Sequence, residues 1–222
     1  MDHHAARVAG LAAHAAEWLP EMPASDGELL DGEWRRLEAL HYEQYTNGRC
    51  SFGEQRRRRV RGVHAALGFA AVSDAEADAW FAGYLRHYRA AWRAFEDVSA
   101  ALAALSSSQP ETVLGVVTNG EGDPQRAKLA AIGLEDRFAV VVASGEVGVA
   151  KPDPAIFALA CERLGVQPAH AAHVGDRLDL DAQAAAAAGL LGIWLDRSQA
   201  NTPAPDVVRI ATLGELPATL DA

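Results

Sequence analysis

Apolar and polar positions alternate with one rhythm up to about Phe95 and with another after it. In the first stretch the period is helical. Leu30, Trp34, Leu37 and His41 follow Ser25-Asp-Gly-Glu28. Val60, Val63, Leu67 and Phe69 follow Ser51-Phe-Gly-Glu54. Trp80, Phe81, Tyr84, Leu85 and Tyr88 follow Ser73-Asp-Ala-Glu76. Steps of three and four residues place such side chains on one face of an α-helix. Each tetrad also fits a capping box, in which the serine hydroxyl accepts from an orphan N–H and the glutamate reaches back to the cap. Pro20, Pro23 and Asn47-Gly48 mark turns between helices. No strand is expected before residue 110.

After Phe95 the pattern predicts a short helix from Asp97 to Leu105, broken by Ser106-Ser-Ser-Gln-Pro110. Strands are expected at Thr112–Val117, Phe138–Ala143, Ala171–Val174, Leu191–Leu195 and Val207–Ile210. Helices are expected at Gln125–Ile132, Pro154–Leu164 and Asp181–Ala188. Strands alternating with helices imply right-handed βαβ units and a parallel sheet wrapped by helices. The expected fold is α/β: a helical segment over 1–94, then a Rossmann-like core over 95–222. No internal repeat interrupts this division, and the alanine-rich 184–188 reads as a tightly packed helix.

Composition narrows the picture. The 222 residues suffice for one large domain or for a core with a smaller accessory domain, and 50% of them are hydrophobic. A formal net charge of −10 argues against a nucleic-acid partner, which selects a basic face. It leaves an anionic small substrate open, because local charge decides that. Cys50 and Cys161 form no disulfide framework, so a cytoplasmic location is expected. The N-terminal residues lack the basic lead and apolar block of a signal peptide. The most apolar run, Ala182–Leu195, is too short to span a bilayer, so no membrane partner is expected. The sequence leaves the oligomeric state open.

In an open parallel sheet, ligands bind beyond the carboxyl ends of the strands. Each strand here runs into a polar segment: Thr118-Asn119-Gly120, then Ser144–Gly148 and Lys151-Pro-Asp-Pro154, then Gly175-Asp-Arg-Leu-Asp-Leu-Asp181. A hydroxyl with nearby backbone N–H groups can hold phosphoryl oxygens. A lysine can neutralise charge that builds during transfer. Clustered carboxylates can hold Mg²⁺ through hard oxygen ligands. Taken alone, Thr-Asn-Gly is a turn, Lys-Pro-Asp-Pro is a helix entry, and Asp176 and Asp181 are acids answering a helix dipole. The weight lies in their joint occurrence, in this order, each after a strand. Gly145 and Gly148 permit tight turns before Lys151.

Val116-Val-Thr-Asn-Gly120, Ser144-Gly-Glu-Val-Gly-Val-Ala-Lys-Pro-Asp-Pro-Ala-Ile-Phe157 and His173-Val-Gly-Asp-Arg-Leu-Asp-Leu-Asp181 closely resemble the haloacid dehalogenase superfamily, over about residues 95–215. By that likeness Thr118 matches the hydroxyl of the second motif and Lys151 the lysine of the third. Asp176 and Asp181 match the acids of the fourth, with Asp176 the implied metal ligand and Asp181 supporting the metal shell. The segment before residue 95 is similar to the family's helical cap, which selects the substrate. The resemblance implies Mg²⁺-dependent hydrolysis of a small phosphorylated metabolite through an aspartyl-phosphate, with Thr118, Asn119, Gly120 and Lys151 around the phosphoryl group. The 2-haloacid dehalogenases are similar too, but need no metal and usually carry Ser in the second motif.

The chain departs from the family at its first motif, Asp-x-Asp-x-Thr, whose aspartates serve as nucleophile and as general acid and base. Met1-Asp2-His3 resembles the residues just after that motif. Asp179-Leu-Asp181 has the spacing but precedes Gln183, and Leu30-Asp31-Gly32 has no strand before it. The expectation is a start set too late, with a native chain longer by roughly ten to twenty residues, a strand and a turn. Loss of a central strand would expose two unpaired edges, which is costly. The alternatives are a relative that binds phosphate or other anions without turnover, and a fragment of poor stability. As it stands, the chain is expected to turn over little.

Three other features stand out. Arg56–Arg59 with Arg61 is either a solvated helix face or a surface attracting a phosphorylated substrate. Successive helical positions diverge, so at most two could face one site. His3, His4 and His14 are not spaced to share a helix face. Trp80, Tyr84 and Tyr88 form either core or a cleft wall.

Overall fold

The computed structural model describes residues 1–18, 22–23, 26–199, 203–204 and 207–221. It divides into two compact units, Asp2–Arg93 and Ala94–Ala222, the latter with Met1.

The first unit is helical: α1 (His3–Trp18), α2 (Asp26–Thr46), α3 (Phe52–Ala66) and α4 (Asp74–Ala90). Ser73 and Glu76 make the full reciprocal box, whereas Ser51 caps α3 through its hydroxyl alone. Ser25 and Pro20 lie outside the described residues. The apolar run after Ser51 leaves the helix before Phe69, because Gly68 takes φ +75° and ends it. Gly68 N–H then donates to Ala65 O at 3.2 Å and Phe69 N–H to His64 O at 2.8 Å, so two carbonyls of the last turn stay paired.

The helical faces close over Trp34 and Trp80, exposed 0% and 1%, with Leu11, Leu30, Leu37, Val60, Val63, Phe81 and Tyr84 around them. Burial of each tryptophan contributes on the order of a few kcal/mol. Trp80 and Tyr84 are thus core, and Tyr88 packs half-buried against them. α1 approaches α4 where side chains are smallest: a Cβ on Gly10 would stand 2.7 Å from Tyr88 Cα.

The second unit alternates as the sequence pattern requires. It runs α5 (Asp97–Ser108), β1 (Gly115–Thr118), α6 (Gly122–Ala131), β2 (Val140–Ala143), α7 (Ser144–Val147), α8 (Pro154–Leu164) and β3 (Ala172–Gly175). A π-turn (Leu178–Gln183) comes next, then α9 (Ala184–Ala187), β4 (Leu191–Leu195), β5 (Val208–Ile210) and α10 (Leu216–Leu220). All pairings are parallel: β1 with β2, and β3 with β4 with β5, as two separate ladders. Val142, Ile156, Phe157 and Ala185 form its buried core. Asp97 ties its N-terminal helix down, accepting from Arg197 twice at 2.9 Å and from Leu213 N–H at 2.9 Å.

Several boundaries differ from the sequence pattern, three of them for a visible reason. α5 continues to Ser108 because Ser106 and Ser107 bond back to Leu102 O and Ala103 O. β1 starts only at Gly115, since Thr112 N–H closes a turn on Gln109 O at 3.0 Å. The helix expected from Asp181 is preceded by the π-turn, which swings Asp181 inward. There Arg177 O accepts from Asp181 N–H at 2.8 Å and from Ala182 N–H at 3.4 Å. The same turn packs on Gly192, where an added Cβ would overlap Ala182 O. Gly192→Ala is therefore expected to destabilise the unit by about 1–3 kcal/mol, as overpacking against backbone does. A denaturant midpoint equal to wild type would contradict this.

Among the described residues, no helix is long and apolar enough to cross a membrane. Cys50 and Cys161 are both free thiols.

Candidate active site

The carboxyl end of β1 carries Thr118, half-buried, with no hydrogen bond to its hydroxyl among the described residues. Asn119 is next and is spent on the backbone of Lys151. Its Nδ2 donates to Lys151 O at 2.8 Å, and its Oδ1 accepts from Lys151 N–H at 2.7 Å. This two-way clasp fixes where the lysine leaves the chain. Gly120 O accepts from Gly145 N–H at 3.2 Å, joining the loops after β1 and β2.

The Lys151 ammonium then reaches two acceptors. Nζ donates to Val117 O on β1 at 3.1 Å and to Asp181 Oδ1 at 2.5 Å. Asp181 is 4% exposed. Its Oδ1 also lies 3.2 Å from His173 Nε2 on β3, and its Oδ2 accepts from Arg177 N–H at 3.0 Å. Burial pushes the Asp181 carboxyl up. Hydrogen bonds from His173 and Lys151, the lysine's charge and the Arg177 N–H outweigh that and hold it well below the usual carboxylate range. Lys151 thus stitches the end of β1 to the turn after β3, while Asp181 holds it ionically.

Gly175 makes room for this arrangement. A Cβ there would overlap the Asp181 carboxyl group, so only glycine lets the carboxylate tuck against the end of β3. Asp176 comes next and is exposed. Its backbone carbonyl accepts from Trp194 Nε1 at 3.1 Å, while its carboxylate has no partner among the described residues. Asp179 pairs with Arg177 at 3.1 Å.

The structure therefore joins Asn119, Lys151 and Asp181 directly, sets Thr118 beside the carbonyl that holds Lys151, and leaves Asp176 on the surface. His173 and Gly175 were not singled out from sequence. A histidine inside a short apolar strand and a glycine just before an acid were the signals. His3, His4 and His14 occupy three environments: His3 beside the Tyr88 hydroxyl at 2.7 Å, His4 beside Arg7 at 2.9 Å, and His14 in the helical core.

A family model described as haloacid dehalogenase-like hydrolase matches residues 5–189. The phosphoserine phosphatase of Thermus thermophilus is 46% identical over 84 residues, 38% of this chain and 34% of that protein. The human N-acylneuraminate-9-phosphatase is 35% identical over 148 residues, 64% of this chain and 56% of that protein. The matched stretch thus spans about half of such relatives or less. Among solved structures, the magnesium-bound HAD-hydrolase YfnB from Bacillus subtilis has a TM-score of 0.75 at 20% identity, covering 100% of this chain and 94% of that one.

Proposed function

Because the chain belongs to the haloacid dehalogenase-like hydrolases, we propose that its chemistry is Mg²⁺-assisted hydrolysis of a phosphate monoester on a small metabolite, by way of an aspartyl-phosphate. The observation that carries this reading is the part-buried Lys151, held by Asn119, Val117 O and Asp181 at the carboxyl ends of β1 and β3. A fixed cation there costs no reorganisation when negative charge develops on a phosphoryl group. Thr118 orients that group by donating its free hydroxyl to a phosphoryl oxygen.

The acids divide the remaining work. A hard dication takes oxygen ligands and keeps several waters. Asp179 is spent on Arg177 and Asp181 on Lys151, whereas Asp176 offers an exposed, unengaged carboxylate. Asp176 is the ligand, and Asp181 is a positioning residue acting through Lys151 and the turn beside the metal. When bound, Mg²⁺ neutralises charge on the phosphoryl oxygens.

A second reading concerns residues 1–222 by themselves, which contain no Asp-x-Asp-x-Thr: in it the same site holds a phosphate without turnover. Phosphate release from para-nitrophenyl phosphate and phosphoserine, with Mg²⁺ and with chelator, separates the two. Little or no release, together with saturable Mg²⁺ and phosphate binding that Asp176→Ala weakens, is expected of residues 1–222. Mg²⁺-dependent release abolished by Asp176→Ala would refute the impaired turnover and establish the hydrolase. Metal-independent halide release from a 2-haloacid would overturn the phosphatase reading.

A further inference from the structure

The arginine run on α3 is not one surface. Arg57 pairs with Asp74 and Asp78, Arg58 with Glu54, Arg59 with Glu38, and Arg61 with Asp74. Arg56 differs: among the described residues it has no carboxylate partner, and its guanidinium lies over the rings of Phe52 at 4.1 Å and Phe81 at 4.9 Å. Asp78 is near enough to be felt but is bonded to Arg57 through both oxygens.

Arg56 lines a cleft of about 260 Å³ within the helical unit, together with Phe52, Gln55, Arg59, Phe81 and Tyr84. An apolar cavity of about 150 Å³ accepts a benzene ring, so this one is sized for a single ring with a polar substituent. Its floor is under-satisfied. Gln55 and Arg59, exposed 1% and 5%, each bury a polar atom with no partner among the described residues, Oε1 and Nε respectively. They stand four residues apart on α3, side by side on one wall. The charged groups on the rim balance in pairs, Arg7 with Asp31 and Arg59 with Glu38, and the charge of Arg56 is left over.

We propose that this cleft binds a small organic anion carrying one aromatic ring, its carboxylate or phosphoryl group on Arg56 and its ring against Phe52, Phe81 and Tyr84. A cation stacked on aromatic faces keeps its N–H edge for an anion, and the same faces take a flat apolar group. The inference concerns the helical unit by itself and does not depend on turnover by the α/β unit.

Ligand-observed NMR titration of the full chain tests it, with benzoate and the hydrolysis-resistant phenylphosphonate as probes. Saturable binding of either, with a Kd of about 1 mM, is expected for a ligand this small. Benzyl alcohol, with the ring and no charge, and inorganic phosphate, with the charge and no ring, are each expected to bind at least about tenfold more weakly. Arg56→Gln is expected to lose about tenfold in affinity, while Arg58→Gln, in the same run but engaged by Glu54 and outside the cleft lining, keeps it. Melting curves check that both variants fold, and the ligand series on the native chain decides the matter if Arg56→Gln does not. Failure of both probes to saturate, inorganic phosphate or benzyl alcohol binding as well as they do, or a folded Arg56→Gln of full affinity would each overturn the proposal.

Discussion

Asp181→Ala is expected to lower the unfolding free energy of the α/β unit by about 3–5 kcal/mol, the usual consequence of stripping one partner from a buried ion pair. The side chains of Lys151 and Asp181 are 12% and 5% exposed, so the lysine left behind would have only Val117 O to answer it. Asp181→Asn should cost less, because its one amide oxygen can still accept from Lys151 in the place of Oδ1, although the amide nitrogen then faces Arg177 N–H in the place of Oδ2. The double replacement Lys151→Met with Asp181→Leu should recover part of the loss, since an apolar pair of similar size removes the stranded charge. Denaturant melts of the four proteins measure this. An Asp181→Ala loss under about 1 kcal/mol would show the pair to be dispensable. The sign with pH comes from the depressed carboxyl. Its contribution is whole above the ordinary aspartate value of about 3.9 and disappears only as pH falls below that, through the folded value.

A second large effect is expected in the helical unit on mild acidification. His14 is fully buried, edge-on to Trp80 at 4.4 Å, and among the described residues neither ring nitrogen has a hydrogen-bond partner. Burial first, then the charges of His87 and Arg86 against the pull of Glu17, lowers its pKa to about 4. In the unfolded chain it titrates near 6.5, so between these values the unfolded state takes up a proton that the folded state refuses. Stability must therefore fall as pH drops from about 6.5 toward about 4, by up to about 3 kcal/mol from this residue. His64 is shifted in the same direction, by burial. His87 faces His14 and lies 3.0 Å from Glu17, with Arg86 on the same carboxylate, so a change at His87 also reaches His14. Urea midpoints at about pH 7 and about pH 4.5 for the native chain, His14→Met and His87→Gln separate them. His14→Met should lose markedly less on acidification than the other two. Equal losses in all three would mean that His14 is not the acid-sensitive group.

Much of the architecture is legible in the residues themselves. The helical period around Trp34, Val60 and Trp80 and the serine caps at Ser51 and Ser73 are encoded within a turn or two of chain, where sequence spacing is spatial spacing. So is the alternation that pairs β1 with β2 and β3 with β4 in parallel, because the helical segment between the strands of each pair returns the chain in one direction. Thr118, Lys151, Asp176 and Asp181 stand out for a related reason: they lie in the segments that follow the strands, the end at which parallel sheets take ligands.

Tertiary structure decided which polar groups meet. Lys151 and Asp181 are thirty positions apart, and Asn119 lies thirty-two before the lysine it clasps. The inward swing of Asp181 needs a π-turn and a bare Gly175, a backbone detail that no periodicity announces. On α3, four successive arginines are indistinguishable as letters. Successive side chains diverge around a helix, so the groups each one faces separate Arg57, held by Asp74 and Asp78, from Arg56, left over two rings. Local periods depend on chain geometry alone, whereas the partner of a charge depends on which distant segments pack against it.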